Sequence, residues 1–259
     1  MMLVKLGGSV ITDKVRYRTF REEVLSRLVD EITSAQKEII LVHGAGSFGH
    51  IIAAQHQLQH GFSDISQIAG VAKVMEDVRE LDLKVLKVLN LGGLPSVSLP
   101  PSAVASLRCG ELDDLNVEMF RRYLELGMCP VTFGDVVLDR ERRFGICSGD
   151  QLMERLAREF RPERVIFCSD VDGVFTADPA RDPDAELIET VSRETLDALP
   201  RTKRCADVTG SIFGKLETMM RIASWGGDAI VLNGGIPGRL EAALRGETVV
   251  GSKVVSGTV

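Results

Sequence analysis

Long apolar runs are absent from this 259-residue sequence, so no membrane-crossing helix of about 18 or more apolar residues is expected. The opening residues MMLVKLGGSV turn polar too soon for a secretory leader, and a cytoplasmic protein is the expectation. Paired cysteines are missing too. Cys109, Cys129, Cys147, Cys168 and Cys205 are scattered, odd in number and free of any C-x-x-C spacing, which suits reduced thiols. Dense cationic blocks are also lacking: 31 Lys and Arg stand against 37 Asp and Glu, for a net charge of −6. That excludes a general nucleic-acid surface, because phosphate backbones are bound by clustered cations. A small phosphorylated substrate needs only a few well-placed cations and stays open. The G-x-x-x-x-G-K-[ST] motif does not occur, which excludes a P-loop, and the HRD and DFG signatures of protein kinases are absent as a set. No linker, repeat or low-complexity tract divides the chain.

What is present reads as α/β. The hydrophobic fraction of 44% and charged fraction of 26% are ordinary for a globular protein, and the length suits one large domain or two small lobes. Short apolar runs predict strands over residues 3–6, 39–42, 96–99, 129–133, 136–138, 165–168 and 229–232. Between them, helical periodicity covers residues 21–35, 66–91, 116–126, 151–160, 213–225 and 237–244. Residues 140–143 read as a hairpin tip and 177–185 as a Pro/Asp loop. Strands alternating with helices predict a parallel-rich sheet covered on both faces. Glycine loops follow Leu6, Val42, Cys168 and Leu232, at predicted strand ends where such sheets bind ligands.

The loop within IILVHGAGSFGH, residues 39–50, spells G-x-G-x-x-G through Gly44, Gly46 and Gly49. Such a loop suits a dinucleotide pyrophosphate, and Asp64, 20 residues beyond Gly44, stands where a ribose-binding acid would be. Against that reading, an earlier strand already ends in its own glycine loop, and GFSDIS around Asp64 reads as a helix cap. The alternative is an anion site of backbone N–H groups at a helix start. All four histidines, His43, His50, His56 and His60, fall within 18 residues. His56 and His60 have the spacing of zinc ligands on one helix face, but HQLQH lacks a metalloprotease glutamate and a third ligand, so no protein-held metal is expected. His50, directly after the glycine loop, could donate to a phosphate oxygen.

Phosphoryl transfer needs cations beside anion-binding loops. Lys5 interrupts an apolar strand just before Gly7-Gly8. Lys14 follows in the same connection, and Lys215 comes after Thr209-Gly210-Ser211. A buried Lys5 would need a partner. Asp150, at the helix start in SGD, is the candidate to hold Lys5 and Lys215.

KLGGS at 5–9, HGAGSFGH at 43–50, FGDVVLD at 133–139, SGDQL at 148–152, DVDGVFTADP at 170–179 and TGSIFGK at 209–215 together resemble, in this order, the amino acid kinase family. The resemblance implies an open, mainly parallel αβα sandwich with two lobes, and a homodimer. Residues 1–168 would bind the acceptor and residues 169–259 ATP, with Mg²⁺ as cofactor. By the same resemblance, Lys5, Leu6, Gly7, Gly8 and Ser9 meet the ATP phosphates, Gly46 approaches the nucleotide, and Asp170 with Lys215 serves the ATP side. Lys14 stabilises the phosphoryl in transfer, Asp150 orients lysines, and Ala45, His50 and Gly149 contact the acceptor. Ala45 and Ser211 depart from glycines common in the family. Lys14 shortly after KLGGS and His50 closing the second loop point to a branch whose acceptor is itself a phosphate. Val71, Val74, Met75 and Val78 could line a pocket for that acceptor's apolar tail, or be plain core. Relatives acting on uridylate, and a nicotinamide-binding oxidoreductase, remain the rival readings of the sequence.

Overall fold

Strand β1 (Met2–Leu6) divides its side chains between two cores: Leu3 faces one, while Met2, Val4 and Leu6 face the other. The computed structural model describes residues 1–198, 212–225 and 228–255. After β1 come a short helix α1 (Gly8–Ile11), α2 (Glu22–Ala35), β2 (Ile39–His43), α3 (Gly46–Gln55) and the long α4 (Gln67–Leu91). Then follow β3 (Ser96–Ser98), α5 (Pro101–Val104), β4 (Ala105–Arg108), β5 (Glu111–Leu115), α6 (Val117–Glu125), β6 (Cys129–Phe133), β7 (Asp135–Asp139) and β8 (Arg143–Cys147). The chain continues through α7 (Gly149–Phe160), β9 (Arg164–Ser169), β10 (Thr190–Val191), α8 (Arg193–Ala198), α9 (Ile212–Ser224), β11 (Asp228–Asn233), α10 (Arg239–Arg245) and β12 (Gly251–Val254).

Among the described residues, eight strands form the main sheet in the order β10-β12-β11-β9-β1-β2-β6-β3, and only the β11–β12 pairing is antiparallel. On one face, α6, α7 and α9 pack Phe120, Leu152, Leu156 and Leu216 against Leu3, Ile40, Val165 and Phe167. On the other, α2, α4 and α10 pack Leu28, Leu81, Val85 and Leu240 against Val4, Leu41 and Ile166. This is the expected three-layer αβα arrangement, with period-2 alternation in the strands feeding both cores. Lys5 shares the parity of Leu3, so it faces α7, the helix with Asp150 in its first turn. A second sheet of order β5-β4-β7-β8 extends from β6 through Gly134.

Five of the described strands, β4, β5, β8, β10 and β12, had no counterpart in the sequence reading. The β4–β5 hairpin is half exposed and turns at Cys109 and Gly110, both at positive φ, in place of the usual Asn-Gly. Its tip is held by Asp139, whose carboxylate accepts the amides of Cys109, Gly110, Glu141 and Arg142 at 2.6–3.2 Å. β10 and β12 are too short to show periodicity. The hairpin tip over 140–143 forms as expected and returns into β8.

A buried carboxylate ties α2 to α10. Glu31 accepts the amides of Leu240 and Glu241 at 3.0 and 3.2 Å and pairs with Arg27, which also donates to the Gly234 carbonyl at 2.5 Å. Glu31→Ala should therefore destabilise the protein by roughly 2–4 kcal/mol in urea unfolding, because two amides and a guanidinium lose their acceptor. Unchanged stability would mean these bonds add nothing beyond those made to water.

Candidate active site

The carboxyl ends of β1, β2, β6, β9 and β11 each lead into a turn, and the turns bond to one another. Gly7 N donates to Cys168 O at 2.9 Å, Gly44 N to Leu6 O at 2.9 Å, Gly134 N to His43 O at 3.2 Å and Gly234 N to Ser169 O at 2.9 Å. The first two glycine turns touch. A Cβ on Gly8 would lie 2.5 Å from Gly46 N, and one on Gly44 2.5 Å from Gly8 N. Thr12 staples them: its hydroxyl donates to Gly8 O at 2.7 Å and accepts Ser47 N at 3.1 Å. Gly46 has φ of +50° and no room for a Cβ beside Thr12, so glycine is required there.

Above these turns opens a cavity of about 440 Å³. Of the thirteen residues to which the resemblance gives a role, twelve line it: Lys5, Gly7, Gly8, Ser9, Lys14, Ala45, Gly46, His50, Gly149, Asp150, Asp170 and Lys215. Leu6 does not. Its side chain is buried in the core facing α2 and α4, and only its carbonyl serves the loop, as acceptor for Gly44 N. Thr209, Gly210 and Ser211, with Cys205, lie outside the described residues.

Two carboxylates organise the cations. Lys5 Nζ lies 2.5 Å from Asp150 Oδ1, with both side chains nearly buried. Asp150 occupies the first turn of α7, whose N-cap Ser148 forms a capping box with Gln151. Burial alone would raise the Asp150 carboxyl, but the charge and hydrogen bond of Lys5, then the charge of Lys215, hold it below its ordinary value. Asp170 does the same at the cavity's outer side, where Lys14 Nζ is 2.5 Å from Oδ2 and Ser9 Oγ donates to Oδ1 at 2.8 Å. Burial opposes ionisation of Asp170 too, and the hydrogen bonds of Lys14 and Ser9 outweigh it. Asp170 thus gathers Lys14 and Ser9, while Lys215 lends its charge to Asp150.

A second part of the lining is apolar. Val74 of α4, Val136 of β7 and Ile146 of β8 line it near Ala53 and His50 of α3. The stripe on α4 thus splits: Val74 reaches the cavity, Val71, Met75 and Val78 pack beside it, and Leu81 and Val85 belong to the main core. Asp135 lines the cavity as well. Burial raises its carboxyl although Arg79 donates to it at 3.1 and 3.3 Å.

The other three histidines do not line the cavity. His43 is fully buried, stacks on Phe133 at 5.1 Å and meets Asp82 at 3.3 Å. α3 ends at Gln55 and Gln57 turns left-handed, so His56 and His60 do not share a helix face. Among the described residues no cluster of three metal-ligating side chains occurs. Asp64 caps the turn before α4, accepting Ser66 N at 2.8 Å, and does not line the cavity, which removes the acid that a dinucleotide site needs. Thr12 and Asp135 escaped the sequence reading. Both stand inside or beside quoted motifs, but their contacts join segments 30 or more residues apart in the chain.

A three-layer sandwich whose first two glycine turns share one cation-lined cavity defines a phosphotransferase architecture. The amino acid kinase family matches residues 1–233, and the chain belongs to that family. It is 38% identical to the isopentenyl phosphate kinase of Methanothermobacter thermautotrophicus over 98% of both chains. Against the isopentenyl phosphate kinase of Thermoplasma acidophilum it is 37% identical over 93% of this chain and 94% of that one. A solved isopentenyl phosphate kinase structure superposes with a TM-score of 0.86 at 35% identity, covering 98% of this chain and all of the other.

Proposed function

We propose that this protein transfers the γ-phosphoryl group of ATP to the phosphate of isopentenyl phosphate, giving isopentenyl diphosphate and ADP, a step of isoprenoid biosynthesis. The observation that carries this reading is one cavity with lysines and glycine amides in one part and Val74, Val136 and Ile146 in another, with His50 beside them. The whole-chain likeness to isopentenyl phosphate kinases supports the same acceptor.

Two anions must be brought together, so catalysis is positioning plus charge compensation. The amides of Gly8 and Ser9 and the ammonium of Lys5 hold the ATP phosphates, with Gly7, its own amide bonded to Cys168 O, shaping the turn and Gly46 backing the nucleotide. Lys215 adds charge from α9. Lys14 leaves Asp170 to follow the phosphoryl group as it moves. His50, with the amides around Ala45 and Gly149, fixes the acceptor phosphate, whose oxygen attacks directly. That oxygen is already ionised, so no strong general base is required. The apolar residues exclude water around the hydrocarbon tail.

Mg²⁺ fits the donor set: Asp170 offers hard, ionised oxygens beside the phosphate-binding turn, and a magnesium site is completed by substrate phosphates. When bound, the ion neutralises charge on the β- and γ-phosphates. Residues 1–168 supply the acceptor side and residues 169–259 the nucleotide side, and the protein works as a cytoplasmic homodimer.

Purified protein given Mg²⁺-ATP and isopentenyl phosphate should release ADP. Turnover of uridylate with none of isopentenyl phosphate would move the assignment to another branch. His50→Ala should lower kcat/KM for the acceptor by about 10- to 150-fold, the loss of one charge-assisted hydrogen bond, while KM for ATP changes little. Equal losses for both substrates would remove His50 from the acceptor site.

A further inference from the structure

Lys14 is carried by an excursion, residues 12–20, that leaves the sheet and returns to it. Asp13 N donates to Thr19 O at 2.9 Å, Thr12 bridges Phe20, and Asp13 accepts Val15 N and Arg16 N at 2.9 and 3.1 Å. Lys14, Val15, Arg16 and Tyr17 are all exposed. The tip of this loop is fastened to α4. Tyr17 donates its hydroxyl to Asp77 Oδ2, Arg18 Nε lies 3.5 Å from Asp77 Oδ1, and Arg18 also pairs with Glu80. Lys73, one turn back on α4, pairs with Asp77 at 2.9 Å. Asp77 is fully buried, so a single carboxylate gathers one hydroxyl donor and two cations between helix and loop.

The same helix supports the acceptor side. Val74, one turn before Asp77, lines the cavity, and a Cβ on Gly49 of α3 would lie 3.2 Å from Val78. α4 is therefore the common brace of the helix bearing His50 and the loop bearing Lys14.

Resting on the phosphotransfer reading above, we propose that Asp77 is a positioning residue that fixes Lys14 over the cavity by clasping Tyr17 and Arg18. A side chain that follows a moving phosphoryl group must be placed within a fraction of an ångström, and an exposed loop cannot supply that by itself. The clasp acts on kcat, because Lys14 matters in the transition state and no group of the clasp lines the cavity.

Tyr17→Phe removes one hydroxyl from an exposed ring and keeps the fold. Asp77→Asn removes the charge. Each should lower kcat by about 10- to 100-fold with both KM values within about threefold of the wild type. In a Lys14→Ala background the same substitutions should have almost no further effect, because the group they position is gone. Limited trypsin digestion supplies a readout independent of the acceptor: cleavage after Lys14, Arg16 and Arg18 should speed up in Asp77→Asn. Faster cleavage with no turnover of isopentenyl phosphate by the wild type would leave the clasp standing and remove the acceptor assignment. Unchanged kcat in both variants, or a loss just as large without Lys14, would overturn the positioning role.

Discussion

Gly8→Ala should lower kcat by about 100-fold or more while leaving the protein folded, the effect expected when reacting groups are displaced by about 1 Å. The new Cβ would lie 2.5 Å from Gly46 N and 2.6 Å from Gly46 Cα, where ordinary contact begins near 3.4 Å. Both atoms are backbone, so no side chain can swing aside. The two glycine turns must part by roughly the shortfall. Gly8 and Gly46 both line the cavity, and Ser47 N, beside Gly46, is bonded to Thr12 and through it to Gly8 O. On the proposed assignment, parting them separates the ATP amides from the acceptor amides, so both substrates are bound out of line. The strands beneath keep their register, since β1 pairs with β2 and β9 along its whole length. Circular dichroism should then match the wild type while steady-state kinetics collapse. A variant with near-normal kcat would show that the turns do not need to touch for transfer.

The reason Gly8 could be singled out before any coordinates is that glycine carries its meaning locally. A backbone that must approach another backbone leaves a glycine at a strand end, and a reader of the sequence can find it. Long periodic helices were legible for the same reason: the stripe over residues 66–91 becomes α4, Gln67–Leu91. Lys5 was legible because a charge inside an apolar strand demands a partner. Asp150 could be named as that partner because it opens a helix in SGD, and the parity of β1 with the placement of α7 shows why the two meet. Short strands on half-exposed surface, such as β4 and β5, carry too few buried positions to show a period. Leu6 entered the site reading because it sits inside KLGGS, while alternation from Met2 and Val4 turns its side chain into the core and leaves only its main chain on the turn. Asp77 and Thr12 were invisible for a third reason. Their meaning lies in contacts with segments distant in the chain, and a lone Asp on a helix reads as a solvated charge until Tyr17 and Arg18 are seen against it.

Lys5→Met should separate stability from catalysis. Lys5 and Asp150 form a pair with side chains only 14% and 13% exposed, so removing one partner leaves a buried charge uncompensated, at a cost of about 3–5 kcal/mol near neutral pH. Activity should fall with it by about 10²- to 10³-fold, because the cation proposed to sit at the ATP phosphates is lost. In the wild type the folded Asp150 carboxyl lies below its unfolded value. Its contribution is therefore complete above the unfolded value of about 3.9 and lost only as pH falls through the lower, folded one. Without Lys5 the sign reverses. Burial is the largest influence on this carboxyl, and it raises the folded value above the unfolded one. The cost is then complete above the raised value and relieved as the pH drops through it. The difference in melting temperature between Lys5→Met and the wild type should thus narrow from neutral pH toward pH of about 4. The double variant Lys5→Met, Asp150→Asn should regain much of the lost stability at neutral pH, since replacing both partners leaves no unpaired charge. It should regain no activity, because Asp150 serves the reaction only through the lysines it holds. A double variant as unstable as the single one, with a pH-independent difference from wild type, would mean that Lys5 stabilises the fold by packing against Phe167 and the start of α7 instead of by its charge.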